Sequence, residues 1–157
     1  MSQKTTKRFF DEKPMTRMLV LGNGEPALTI AKIAKERGLE ATLIYSSRLA
    51  EVLTVEGKRT LDELAKLGTK TLEIDTTREV EEYLVAASGP EAMVFCSGSP
   101  YIISQRMIDL FEGRVFNTHG SPLPKWRGGG GFSWRIMAGV REGRTVIHQV
   151  TAGIDDG

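Results

Sequence analysis

Three residues in the last third of the chain, Asn117, His119 and Asp155, are of types that move protons and hold developing negative charge. Asn117 and His119 stand two apart at the end of a short apolar run, and in extended backbone that spacing turns both side chains to the same side. An Asn amide can donate a hydrogen bond to an oxyanion, an imidazole can transfer a proton near neutral pH, and a carboxylate can orient the imidazole or take a proton through water. Each residue follows the end of an expected strand, and strand ends are where α/β proteins bind ligands. The chemistry that suits the trio is acyl transfer to an amine, with no Ser or Cys nucleophile required.

The pattern extends well beyond the trio. Asn117-x-His119 leads into Ser121-Pro-Leu-Pro-Lys-Trp-Arg-Gly128, then Thr145-Val-Ile-His148, then Ile154-Asp155-x-Gly157. From about Ala92 to Gly157, and more loosely back to Met18, the chain resembles the folate-dependent formyltransferases. These include glycinamide ribonucleotide, methionyl-tRNA and nucleotide-sugar N-formyltransferases and the related formyltetrahydrofolate hydrolases. The resemblance implies that Asn117, His119 and Asp155 form the catalytic triad, Asp155 being preferred to Asp156 because the family's acid stands two residues before the Gly. It implies 10-formyltetrahydrofolate as cosubstrate, attacked at its formyl carbon by a small-molecule amine. Asn117 and His119 would stabilise the formyl oxygen, and Asp155 would orient His119 and help remove the amine proton. No metal enters this scheme.

The same resemblance puts Ser97, Gly98, Pro100, Tyr101, Ile102 and Ile103 along the pterin pocket. Gly98 permits close backbone approach, and Ile102 and Ile103 offer apolar walls. On the amine side stand Arg127 and Gly128, at the head of four consecutive glycines that forgo side-chain packing and suit a ligand-facing loop. Gly22-Asn23-Gly24 is a further candidate, because a turn opening a helix N-terminus favours an anion such as a substrate phosphate. A tight turn without ligand explains those glycines equally well, Glu25 would repel a phosphate, and the missing third glycine disfavours NAD.

Two departures from the family pattern stand out. Ser-Pro-Leu-Pro replaces Ser-Leu-Leu-Pro, so Pro122 removes a backbone donor beside the site. The sequence also ends just after the candidate acid, where family members continue. Either a longer polypeptide or another chain, a homo-oligomer included, is then expected to supply the closing surface. Two rival functions use the same residues: a hydrolase releasing formate to water, and a noncatalytic folate-binding module.

Positioning these residues falls to strands alternating with helices. Strands are expected at 18–21, 41–45, 71–74, 92–96, 114–117 and 145–150, and helices at 26–37, 61–67, 77–87, 104–111 and 131–139. Thr60 and Glu63 are spaced as a capping box, and Thr76 or Thr77 and Ser104 as helix caps. The expected architecture is a Rossmann-like open, mainly parallel sheet with helices on both faces, spanning 17–157 behind a flexible arm at 1–16 in which Phe9 and Phe10 could dock locally. With 157 residues and 40% hydrophobic content, one domain with a substantial core is expected. A formal charge of +1 advertises neither nucleic acid nor membrane. A lone Cys96, no bilayer-length apolar stretch and no secretory leader lead to the expectation of a cytoplasmic protein.

Overall fold

The computed structural model describes residues 14–157, except for the side chain of Phe132. Strand β1 (Arg17–Gly22) sets the architecture, because Met18 and Val20 turn to one face, Leu19 and Leu21 to the other, and all four are buried. A sheet apolar on both faces needs cover on both. On the Met18 side lie α1 (Glu25–Glu36) and α2 (Thr60–Lys66), which contribute Ala27, Leu28, Ala31, Ala34 and Leu64. On the Leu19 side lie α3 (Thr77–Ala87) and α4 (Gln105–Leu110), with Val80, Leu84 and Met107.

The other strands are β2 (Glu40–Tyr45), β3 (Lys70–Glu73), β4 (Ala92–Ser97), β5 (Val115–His119) and β6 (Val146–Gln149), and a last helix, α5 (Gly131–Met137), precedes β6. The sheet order is β3-β2-β1-β4-β5-β6. The first five strands are parallel and β6 runs antiparallel to β5, so the expected Rossmann-like sheet is what forms. The order reverses between β1 and β4, where crossovers leave in opposite directions and a crevice opens at the carboxyl ends.

The capping residues divide. Thr60 does not cap α2: it is the first helical residue, fully buried, and its hydroxyl donates to the Val52 carbonyl at 2.9 Å. The helix begins one residue earlier than a box at Thr60 needs: Arg59 is the flanking residue, and the Glu63 amide donates to Arg59 O at 3.3 Å instead of to Thr60 Oγ1. A cap forms one helix later, where the Glu79 amide donates to Thr76 Oγ1 at 3.2 Å, and the Thr76 hydroxyl donates to the Glu79 carboxylate at 2.6 Å. Ser104 caps α4 by accepting from the Met107 amide at 3.2 Å.

At the amino end, Thr16 is tied to the sheet, its amide donating to Glu91 O and its carbonyl accepting from Glu40 N. The expected arm, with Phe9 and Phe10, lies outside the described residues as far as residue 13. Gly22 closes β1 at a φ of +120°, and a Cβ there would overlap the carbonyl of Ser97, its partner on β4. Only glycine fits so close an approach between the two central strands.

Candidate active site

Strand β5 delivers Asn117 and His119 on one side, as period-two geometry requires. Because β6 is antiparallel, its register puts His148 directly opposite Asn117. The chain then leaves β6, Val150 N donates to Val115 O, and the final loop returns to the cluster. It arrives at Asp155 with φ +49°, in the left-handed region that Asp tolerates better than most residues.

The Asp155 carboxylate is the hub of the site. Oδ2 accepts from Gly128 N at 2.8 Å and lies 3.4 Å from His119 Nδ1. Oδ1 lies 3.4 Å from Asn117 Nδ2 and 3.5 Å from His148 Nε2. The side chains of His119, Asp155 and His148 are only 12%, 14% and 7% exposed, so their electrostatics act with little solvent screening. The 3.4–3.5 Å separations are longer than strong hydrogen bonds, a common state of catalytic contacts before substrate tightens them.

Two details set what the cluster presents. His119 Nε2 lies 2.6 Å from the Trp126 carbonyl, which only accepts, so Nε2 carries the hydrogen and a substrate oxygen must compete with that carbonyl for it. Asn117 Nδ2 faces both His148 Nε2, at 3.3 Å, and Asp155. Asp156 turns away from the cluster and is held by the Thr151 hydroxyl.

These residues line a cleft of about 470 Å³ that runs from the end of β4 past β5 to the final loop. Such a volume is within the range of small-molecule sites. Gly98, Tyr101, Ile102 and Ile103 form one wall, and Gly128 and Gly129 part of the other. Burial pushes the Tyr101 phenol up to about 12, with Asp75 adding to the effect, and its hydroxyl donates to Ile74 O at 2.6 Å. Tyr101 is therefore a neutral wall. Burial likewise pushes the Cys96 thiol up to about 12, which removes it as a nucleophile. Among the described residues no group of three or more His, Cys, Asp or Glu side chains is arranged to hold a metal ion.

The other expected site residues lie off the cleft surface. Ser97 is buried within the sheet, and Pro100 and exposed Arg127 do not line the cavity. Gly22, Asn23 and Gly24 sit on the β1 side of the switch, also outside the cleft walls. Asn23 folds back on its own turn, with Nδ2 donating to Leu49 O at 2.7 Å and Oδ1 accepting from Gly24 N at 2.8 Å. One of the turn's amides is thereby taken, and Glu25 sits at the helix entrance accepting from Val55 N. Conversely, His148 and the loop 150–154 line the cleft without having been assigned a role from sequence. The signal for His148 was a polar residue in the inward row Val146, His148, Val150, but its partner depends on the β5–β6 register.

A formyl transferase family model matches residues 16–157. The chain belongs to the formyl transferase family. It is 25% identical over 146 residues to a methionyl-tRNA formyltransferase of Nitrobacter winogradskyi, a match covering 90% of this chain and 46% of that protein. The chain thus spans about half the length of the curated relatives it matches over most of its own. Among solved structures, a phosphoribosylglycinamide formyltransferase from Streptococcus pneumoniae aligns with TM-score 0.69 and 23% identity, covering 91% of this chain and 78% of the other. A formyltetrahydrofolate deformylase from Pseudomonas syringae aligns with TM-score 0.62 and 16% identity, covering 91% and 48%. At these identities the two structures speak for the fold.

Proposed function

We propose that the chain carries the catalytic domain of an N-formyltransferase that moves the formyl group of 10-formyltetrahydrofolate to a primary amine. The observation that carries this is the convergence of Asn117, His119, His148 and Asp155 on one desolvated corner of a ligand-sized cleft in a formyl transferase family member. The reduced folate supplies an activated formyl group on nitrogen. Its pterin fits the wall of Tyr101, Ile102 and Ile103, with backbone approach at Gly98.

The chain's own residues then have distinct tasks. His119 holds a donor hydrogen on Nε2 for the formyl oxygen, and Asn117 can add a second if its amide nitrogen turns to the cleft. Asp155 holds His119 through Nδ1, pins the Gly128 loop, and takes the proton that the attacking amine must lose. For the amine we favour a small phosphorylated amine or a nucleotide-linked amino sugar, with exposed Arg127, next to the cleft-lining Gly128, as its anion contact. The formal charge of +1 supports a small acceptor over tRNA, whose phosphates call for a basic surface. A cytoplasmic setting, expected from the lone cysteine, belongs to the same proposal.

The test is to incubate the protein with 10-formyltetrahydrofolate and, separately, each acceptor class, methionyl-tRNA included, following formylated product and formate by mass spectrometry. Formylated amine is the expected result. Formate released without any amine would select the hydrolase, the reading that the deformylase fold neighbour favours. Folate binding without turnover would select a binding module.

A further inference from the structure

Arg135 is a buried cation without a counter-charge. Only 4% of it is exposed, and its hydrogen bonds run to neutral carbonyls, from Nη1 to Gly120 O at 3.1 Å and from Nη2 to Glu142 O. Every ion pair among the described residues involves other groups. Its Nε is a buried donor with no acceptor. Two carbonyls explain two of the five hydrogens on the guanidinium, but they leave its charge uncompensated, and an unpaired buried charge is strongly destabilising. A bound ion would resolve both defects.

The guanidinium borders a cavity of its own. About 190 Å³ in volume, this cavity lies between the end of α5 and residues 140–143, and it shares no lining residue with the catalytic cleft. Arg141 lines it too. The amides of Arg141, Glu142 and Gly143 make no backbone hydrogen bond among the described residues, so further donors stand on the same rim. The carbonyls that end α5 would repel an anion, yet Trp134 O, Arg135 O and Ile136 O are already taken by the amides of Ala138, Val140 and Gly139. Glu142, the one acid on the lining, has an exposed side chain.

We propose that this cavity binds a phosphate group, with Arg135 and Arg141 as its two cations. Guanidinium forks match phosphate oxygens, and a phosphate monoester carries about −1.5 to −2 near pH 7, which balances two arginines where a carboxylate balances one. The proposal does not depend on the formyl-transfer reading. Through Gly120 O the same guanidinium holds the turn that follows His119, so one hydrogen bond joins the site to the cleft that Gly120 lines.

The experiment titrates the protein with inorganic phosphate at constant ionic strength and follows the Nε–Hε NMR signals of Arg135 and Arg141. Both are expected to shift along one saturation curve. Arg141→Gln alters an exposed side chain and should leave the fold intact, while weakening phosphate about 10- to 100-fold through loss of a charge-assisted hydrogen bond. Arg135→Lys keeps the charge and loses the fork, so it too should weaken binding. Arg127→Gln, outside this cavity, should leave the affinity unchanged. A second titration with glycerol 3-phosphate separates the sources: tighter binding than inorganic phosphate assigns a phosphorylated molecule, and equal or weaker binding the free ion.

Shifts that track ionic strength without saturating, an affinity indifferent to Arg141→Gln, or one lost in Arg127→Gln instead would overturn the proposal. No turnover is measured. A protein that transfers no formyl group therefore refutes the functional reading alone, and a protein that ignores phosphate refutes only this one.

Discussion

Replacing Asp155 by Asn keeps the shape of the hub and removes its charge, so it separates chemistry from packing. One oxygen remains to accept from Gly128 N, where the carboxylate now does so at 2.8 Å. The new NH₂ would face Asn117 Nδ2, 3.4 Å from the present Oδ1, so donor would meet donor. For stability, a charge-assisted hydrogen bond contributes about 1.5–3 kcal/mol and a neutral one about 0.5–1.5, so the cost is roughly 1 kcal/mol and the protein stays folded. For catalysis, the loss of a proton acceptor costs about 10²–10⁴ in kcat. At about 1.36 kcal/mol per decade that is roughly 3–5 kcal/mol of barrier, several times the stability effect.

Asp156 provides the control, because it is exposed and, among the described residues, its carboxylate accepts only from the Thr151 hydroxyl. Asp156→Asn should leave stability within about 0.5 kcal/mol of wild type and leave the rate nearly unchanged. The assay is steady-state formyl transfer for both variants, paired with thermal melts by circular dichroism. An Asp155→Asn variant that is folded and near wild-type in kcat, or a large loss at Asp156, would refute the assignment of the acid.

Other consequences follow from particular residues. His119→Ala should abolish formyl transfer yet leave the affinity for a folate analogue nearly intact by calorimetry, because in the proposed reading the imidazole meets the reacting oxygen while the pterin lies against the cleft residues Tyr101, Ile102 and Ile103. Cys96, with its thiol held near 12 by burial against an ordinary 9.0, should resist a thiol reagent at pH 8 in the folded protein and react once per chain in denaturant. On unfolding the thiol ionises more readily, so its contribution to stability is full below pH 9 and is lost as pH rises from 9 toward 12, which urea melts across that window would record. Gly22→Ala combines a positive φ with a Cβ overlapping the Ser97 carbonyl, and should cost about 3 kcal/mol or more, read as a lowered urea midpoint.

Periodicity alone determined much of this protein. The run Met18–Leu21 is apolar at every position, which only a strand covered on both faces can bury, and the helical spacing from Pro26 onward supplies one cover. The two-residue spacing of Asn117 and His119 likewise fixes their common side as soon as the segment is extended. Local pattern failed where a distant partner competed. Thr60 has the spacing of a capping residue, but the helix starts at Thr60 itself, where its hydroxyl reaches out to the Val52 carbonyl. Gly22-Asn23-Gly24 read equally as an anion turn or a turn without ligand, and in the fold Asn23 is engaged by the distant Leu49 carbonyl as well as by Gly24 N. His148 became part of the site only because β6 pairs antiparallel with β5 in one register, a choice made by cross-strand packing among residues some thirty positions apart. The same holds for the orientation of the Asn117 amide and for the arrival of Asp155 between two imidazoles. Residue types and short spacings follow from the chain as written, whereas the partner of each polar atom depends on which segments the fold brings within 3–4 Å, and only the tertiary structure decides that.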